Sequence, residues 1–237
     1  MKLVGERRAI AALMFAFWFV MYLMNALLGG GPLAKLLYGM AGCYGLAFFS
    51  LVAGYFWARW YAVGVSLFGI IVAGIGLWQM GPEFQVLFIG ITHLTATIML
   101  WGNGMSELYD GQHAWRERWH MDEHAVQRLG RSVIRAGVSL PMVVIYGLAP
   151  KQPAQMVLSL GAVVLAVVGL RALVKLRTWG VLAIGAAGSL MLSLAGVQML
   201  TGNDALALQP ALAGALLVFA AYPWARPLAR AMTRGRA

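Results

Sequence analysis

Apolar residues run through this chain in long stretches, with polar residues gathered in short clusters between them. Eight stretches have the length of spanning helices: about 9–29, 36–57, 61–80, 84–102, 131–149, 154–174, 179–200 and 206–224. Apolar and polar positions do not alternate with a period of two along them, which argues against half-buried strands. Roughly 20 apolar residues cross a bilayer as a helix, and in hydrocarbon a helix satisfies its backbone groups within the segment. Gly and Pro punctuate the connections, as in "GGGP", "MGPE", "APKQP" and "TGND". The pattern predicts an all-α polytopic transmembrane bundle of about eight spans. Its parts are a first four-helix half (1–102), an amphipathic linker (103–130), a second four-helix half (131–224) and a basic tail (225–237).

Composition agrees: 61% of the 237 residues are hydrophobic and 11% charged, against about 25% charged in soluble domains. The first stretch is too long for the apolar core of a signal peptide and ends without a small-x-small cleavage site, so it reads as a retained span. Cys43 is the single cysteine, which rules out an intramolecular disulfide and argues against a thiolate metal cluster.

The net charge of +10 would suggest nucleic acid in a soluble protein; here its distribution suggests topology instead, and no nucleic-acid partner is expected. Lys2, Arg7 and Arg8 precede span one. Every second connection then carries arginine: Arg59, the group Arg116, Arg118 and Arg128, the group Arg171, Lys175 and Arg177, and the tail. The alternate connections hold Lys35, Glu83, Lys151 and Asp204, one charge each. Positive residues mark the cytoplasmic side, so the expectation is a bacterial inner-membrane protein with both termini in the cytoplasm.

Span three, "WYAVGVSLFGIIVAGIGLWQM", overlays span seven, "WGVLAIGAAGSLMLSLAGVQM", at an offset of 119, matching Trp60 with Trp179, Gly69 with Gly188, Gln79 with Gln198 and Met80 with Met199. Spans four and eight match less well, Trp101 with Trp224 at 123 and Gln85 with Gln209 at 124. Two readings stand: a parallel 4+4 duplication, or the chance agreement that apolar helices give easily.

Polar residues within spans point to function because burying them is costly. His93, in "FIGITHLTATIML", is the ionisable group at mid-membrane depth. Thr97 shares its helix face, and Gln85 lies about 80° round from it. Asn25, Tyr44 and Gln79 fall towards the outer ends of the first three spans. Together these residues outline a polar pocket open outward with His93 at its floor; the alternative is a hydrogen-bonded packing residue.

The linker sequence "HAWRERWHMDEH" concentrates three of the four histidines. On a helix, His113, Glu117, His120, His124, Arg128, Arg131 and Arg135 form one stripe, opposite Trp115, Trp119, Val126, Leu129 and Val133. This predicts an amphipathic helix on the inner leaflet feeding into span five, with Arg128, Arg131 and Arg135 meeting anionic lipid head groups or acidic residues of a partner subunit. His120, His124 and Glu117 are a candidate set for zinc or another divalent metal, with a solvated face as the alternative. His113 lies about 10.5 Å along the axis from His120 and cannot join them. "HMDEH" lacks the H-E-x-x-H base placement.

Sharper chemistries fail on inventory. The four histidines are too few for the boxes of membrane desaturases, and His93 has no second intramembrane histidine for bis-His haem. "DGQHAWR" resembles the start of the CDP-alcohol phosphotransferase signature, but the arginine spacing is off by one and the two later aspartates of the metal site are missing. P-loop, nucleophile-elbow and dinucleotide motifs are absent. Three functions remain: a non-catalytic subunit or scaffold of a membrane complex, which the sparse intramembrane polarity favours; a small-molecule or lipid binder or transporter built on His93; and a metal-dependent enzyme built on the linker stripe. No cofactor is expected under the first.

Overall fold

A computed structural model of the chain describes residues 3–109, 123–202 and 204–225, with side chains of 204–206 excepted. Among the described residues the structure is helical, and seven helices, or eight if one bent pair is a single span, have the length and apolar character to cross a membrane. The helices are α1 (Val4–Gly29), α2 (Ala34–Ala53), α3 (Ala58–Met80), α4 (Phe84–Leu100), α5 (Asn103–Tyr109), α6 (Glu123–Leu148), α7 (Pro153–Val174), α8 (Trp179–Leu200) and α9 (Asp204–Ala221), followed by a 3-10 turn at Tyr222–Trp224. Each of the eight sequence stretches therefore has its helix.

The span-four stretch departs from a simple rod. α4 has 17 residues, about 25 Å at 1.5 Å per residue, and the chain turns 75° into α5. Gly102, at φ 105°, makes that turn, a backbone conformation that a β-carbon disfavours.

In both halves the helices pack in a ring: α1–α2–α3–α4 in the first, and α6–α7–α8–α9 in the second. Gly69 and Gly188, paired at the 119 offset, serve the same kind of contact. Gly69 lies where α3 meets His93 of α4, and Gly188 where α8 meets Gly214 and Val218 of α9. The glutamines do not correspond. Gln198 donates to Gln155 Oε1 (3.3 Å) and Gln209 to the Met142 carbonyl (3.3 Å), whereas Gln79 and Gln85 are exposed.

α6 joins the halves, packing on α3 and α2 on one side and on α7 and α9 on the other. Small residues let α3 and α6 approach closely: a β-carbon on Gly64 would fall 2.4 Å from the Ile134 carbonyl oxygen, and one on Gly137 2.9 Å from that of Tyr61. Without a hydrophobic drive between helices in lipid, such close van der Waals contact is what holds them together. Trp60 packs on Gly130 along the same seam.

The charges that alternate in sequence collect at one end of the bundle and cap helices there. The last four carbonyls of a helix have no partner within it, and a cation near them is favoured. The Arg7 guanidinium donates to the carbonyls of Ile98 (2.9 Å) and Trp101, closing α4. Arg8 donates to Leu51 (3.1 Å) and Val52 (2.6 Å), closing α2, and Tyr109 of α5 adds a hydroxyl donation to Leu51 (3.0 Å). At the other end Lys151 donates to the carbonyls of Tyr146 and Ala149, closing α6. Partial burial pushes the Lys151 ammonium below the ordinary lysine range.

Candidate functional site

His93 is 2% exposed, held in α4 against α1, α2 and α3. A β-carbon on Gly69 would lie 2.1 Å from its Cδ2, so glycine in α3 makes room for the ring. Its Nδ1 is 2.7 Å from the Ile89 carbonyl, one turn earlier, and its Nε2 is 2.7 Å from the Tyr44 hydroxyl of α2. A carbonyl only accepts, which places the proton on Nδ1; Nε2 then accepts from Tyr44. Both ring nitrogens are satisfied inside the protein.

Aromatic rings surround the pair. Trp18 lies 5.2 Å from the His93 ring, and Tyr22 5.3 Å from that of Tyr44. The Trp18 indole donates to Thr92 Oγ1 (3.2 Å), whose hydroxyl donates to the Phe88 carbonyl (2.8 Å). The chain of contacts thus runs α1 to α4 to α2, with polar atoms paired and apolar ring faces packed.

Of the residues expected to outline a pocket, only Tyr44 meets His93. Thr97 donates to the His93 backbone carbonyl (2.9 Å), a bond within its own helix. Asn25 is exposed and donates to the Met21 carbonyl of its own helix (2.7 Å). Gln79 and Gln85 are exposed. A groove of about 310 Å³ opens on the apolar outer face, lined by Phe17, Trp18, Met21, Phe84, Gln85, Phe88 and Ile89. Trp18 and Ile89 stand between that groove and the imidazole. The sequence pattern shows depth but not azimuth, so it does not reveal that Asn25, Gln79 and Gln85 are exposed while His93 is buried. Trp18 was the missed member of the cluster; its place on the face of α1 turned to α2 and α4 needed the packing.

In the linker, His113, Glu117 and His120 lie outside the described residues. The described part agrees with the amphipathic pattern: from Glu123 onward α6 runs unbroken into span five, Val126, Leu129 and Val133 are buried, and His124 and Arg131 are exposed. The other two arginines turn to the chain's own last span. Arg135 donates to the Phe219 carbonyl (2.6 Å), and the Arg128 guanidinium lies 5.9 Å from the centre of the Trp224 ring. Pro223 cannot continue the α9 ladder, and Arg135 serves a carbonyl left near that end. Trp224 Nε1 donates to Ser132 Oγ (3.0 Å), locking the turn onto α6. Among the described residues no three His, Cys, Asp or Glu side chains group as metal ligands would.

A second polar cluster has no signature in the sequence pattern. At the arginine-rich end, α3, α5 and α6 enclose a cleft of about 480 Å³. Its residues are far apart in sequence and converge only through the Gly64–Gly137 seam and the turn at Gly102. No protein-family model matches the chain, and comparison with curated proteins and with solved structures gives no significant match.

Proposed function

We propose that this multi-pass membrane protein is a non-catalytic subunit or scaffold of a bacterial inner-membrane complex, with both termini in the cytoplasm. The observation that supports this most is the state of His93. The residue best placed for ligand chemistry has Tyr44 on one nitrogen and the Ile89 carbonyl on the other. It acts as a polar joint between α2 and α4. Such joints, each modest in energy, fix one arrangement of otherwise interchangeable apolar helices. The arginines act similarly by capping helices, and their distribution supports the orientation.

The test is gentle extraction of the untagged-neighbour complex from native membranes, with a tag on this chain alone. The scaffold reading expects co-migration with defined partners at fixed stoichiometry, resistant to salt and retained in the His93→Gln variant. A monodisperse lone chain that releases a bound small molecule on denaturation would overturn it.

One observation favours a second reading. The groove beside Trp18 lies one residue layer from His93 and offers the Gln85 amide among aromatic walls, which suits an apolar molecule with a single polar group. Photo-crosslinking from Phe88 to a lipid-like probe, abolished by Trp18→Ala, would favour that reading; labelling no stronger than at exposed Phe49 would remove it.

A further inference from the structure

We infer that the cleft between α3, α5 and α6 binds a phosphate group, carried by a membrane lipid or by a soluble phosphate compound. Arg59, Asn103 and Ser106 form one wall, and Glu123, Gln127 and Arg131 the other. Glu123, Gln127 and Arg131 recur every four residues along α6, so they share one helix face. The Arg59 guanidinium donates to Ser106 Oγ at 2.9 Å, which ties α3 to α5 and fixes that cation at the wall. Among the described residues that line the cleft, two guanidinium groups, one on each wall, outnumber the single carboxylate of Glu123, and the neutral amides and hydroxyl supply further hydrogen-bonding groups. Planar guanidinium forks match phosphate oxygens better than any other side chain. The volume of about 480 Å³ falls in the range of small-molecule sites.

The depth fits a head group. Trp60 and Trp101 line the cleft, and tryptophan favours the membrane interface. Arg131 stands on α6 where the charged residues thin out into the apolar run that follows. A lipid phosphate at that level would reach Arg131 while its acyl chains stayed in hydrocarbon. Of the three α6 residues in the cleft, Glu123 lies nearest the N-terminal side and repels an anion, so its removal has the opposite effect from removal of Arg131.

The full chain, purified in maltoside, would be titrated with dioleoylphosphatidylglycerol, with dioleoylglycerol as the phosphate-free control and with inorganic phosphate as competitor, and bound lipid read by native mass spectrometry. One saturable phosphatidylglycerol per chain is expected, weakened about tenfold by Arg131→Gln, which removes a charge-assisted contact. Glu123→Gln is expected to tighten it, and Arg177→Gln, outside the cleft, to leave it unchanged. Failure of millimolar phosphate to compete identifies a lipid as the source; full competition identifies a soluble phosphate compound. Binding equal to that of dioleoylglycerol overturns the inference, as does binding to which Glu123→Gln and Arg131→Gln are both indifferent. The Glu123→Gln arm, a gain, also covers the case in which Arg131→Gln fails to fold.

Discussion

Removing the Tyr44 hydroxyl tests how His93 is held. In Tyr44→Phe the ring stays and one donor goes, so Nε2 of a side chain 2% exposed loses its 2.7 Å partner. A buried acceptor left without a donor costs about 1–3 kcal/mol, and bonds between membrane helices average nearer about 0.6 kcal/mol because the separated helices find other partners in lipid. The expected loss is therefore about 1 kcal/mol. Replacing both groups with apolar ones is cheaper than leaving one orphaned, so Tyr44→Phe with His93→Leu is expected to cost less than the two single changes summed, by about 0.5 kcal/mol or more. Unfolding of the purified protein in mixed micelles with increasing dodecyl sulfate, followed by far-UV circular dichroism, measures all four states. Strict additivity, with Tyr44→Phe neutral, would refute the coupling and imply that His93 is oriented by something other than Tyr44.

Four further outcomes follow from the packing and the charges. Gly64→Ala puts a methyl group 2.4 Å from the Ile134 carbonyl and is expected to destabilise the joint between the halves by roughly 1–3 kcal/mol, seen as earlier proteolysis between α3 and α6 than in Gly74→Ala, where a β-carbon meets open space. Arg8→Gln uncaps α2 and is expected to cost up to about 2 kcal/mol in the same unfolding assay, with no loss if the guanidinium only marks topology. In a Cys43→Ala background, cysteines at Ala34 and Asp204 are expected to react with an impermeant maleimide from outside and one at Arg234 only after permeabilisation; the reverse pattern would invert the orientation. Metal analysis of purified protein is expected to show no stoichiometric zinc, and zinc lost on His120→Ala or His124→Ala would establish the linker stripe as a metal site.

The sequence was most informative where one physical rule dominates. The extent of the apolar stretches located α1 to α4 and α6 to α9, because in hydrocarbon each helix must satisfy its own backbone. Amphipathic periodicity set Val126, Leu129 and Val133 on one apolar face, expected on the inner leaflet; that this face is buried in the protein came from the packing. Legibility fell where azimuth and long-range packing decide. His93 was found by depth alone, but its bond to Tyr44, 49 residues away, depends on how α2 and α4 rotate about their axes, which near-uniform apolar faces do not encode. Arg128 and Arg135 look like a wet face in the linker pattern; their contacts with Trp224 and Phe219 exist because α9 ends beside α6. The cleft was invisible for the same reason: Arg59, Ser106 and Arg131 line one cleft only when glycine brings α3 onto α6 and Gly102 turns the chain into α5.

The central claim is that the first half holds His93 as a closed structural joint. An experimental density map of the protein, extracted with its native lipids into nanodiscs, tests this most directly. The account predicts continuous side-chain density between α1, α2, α3 and α4, with the His93 ring within hydrogen-bond distance of the Tyr44 hydroxyl and the Ile89 carbonyl. A bound molecule between those helices, or a His93 ring turned from Tyr44 towards the Gln85 groove, would contradict it.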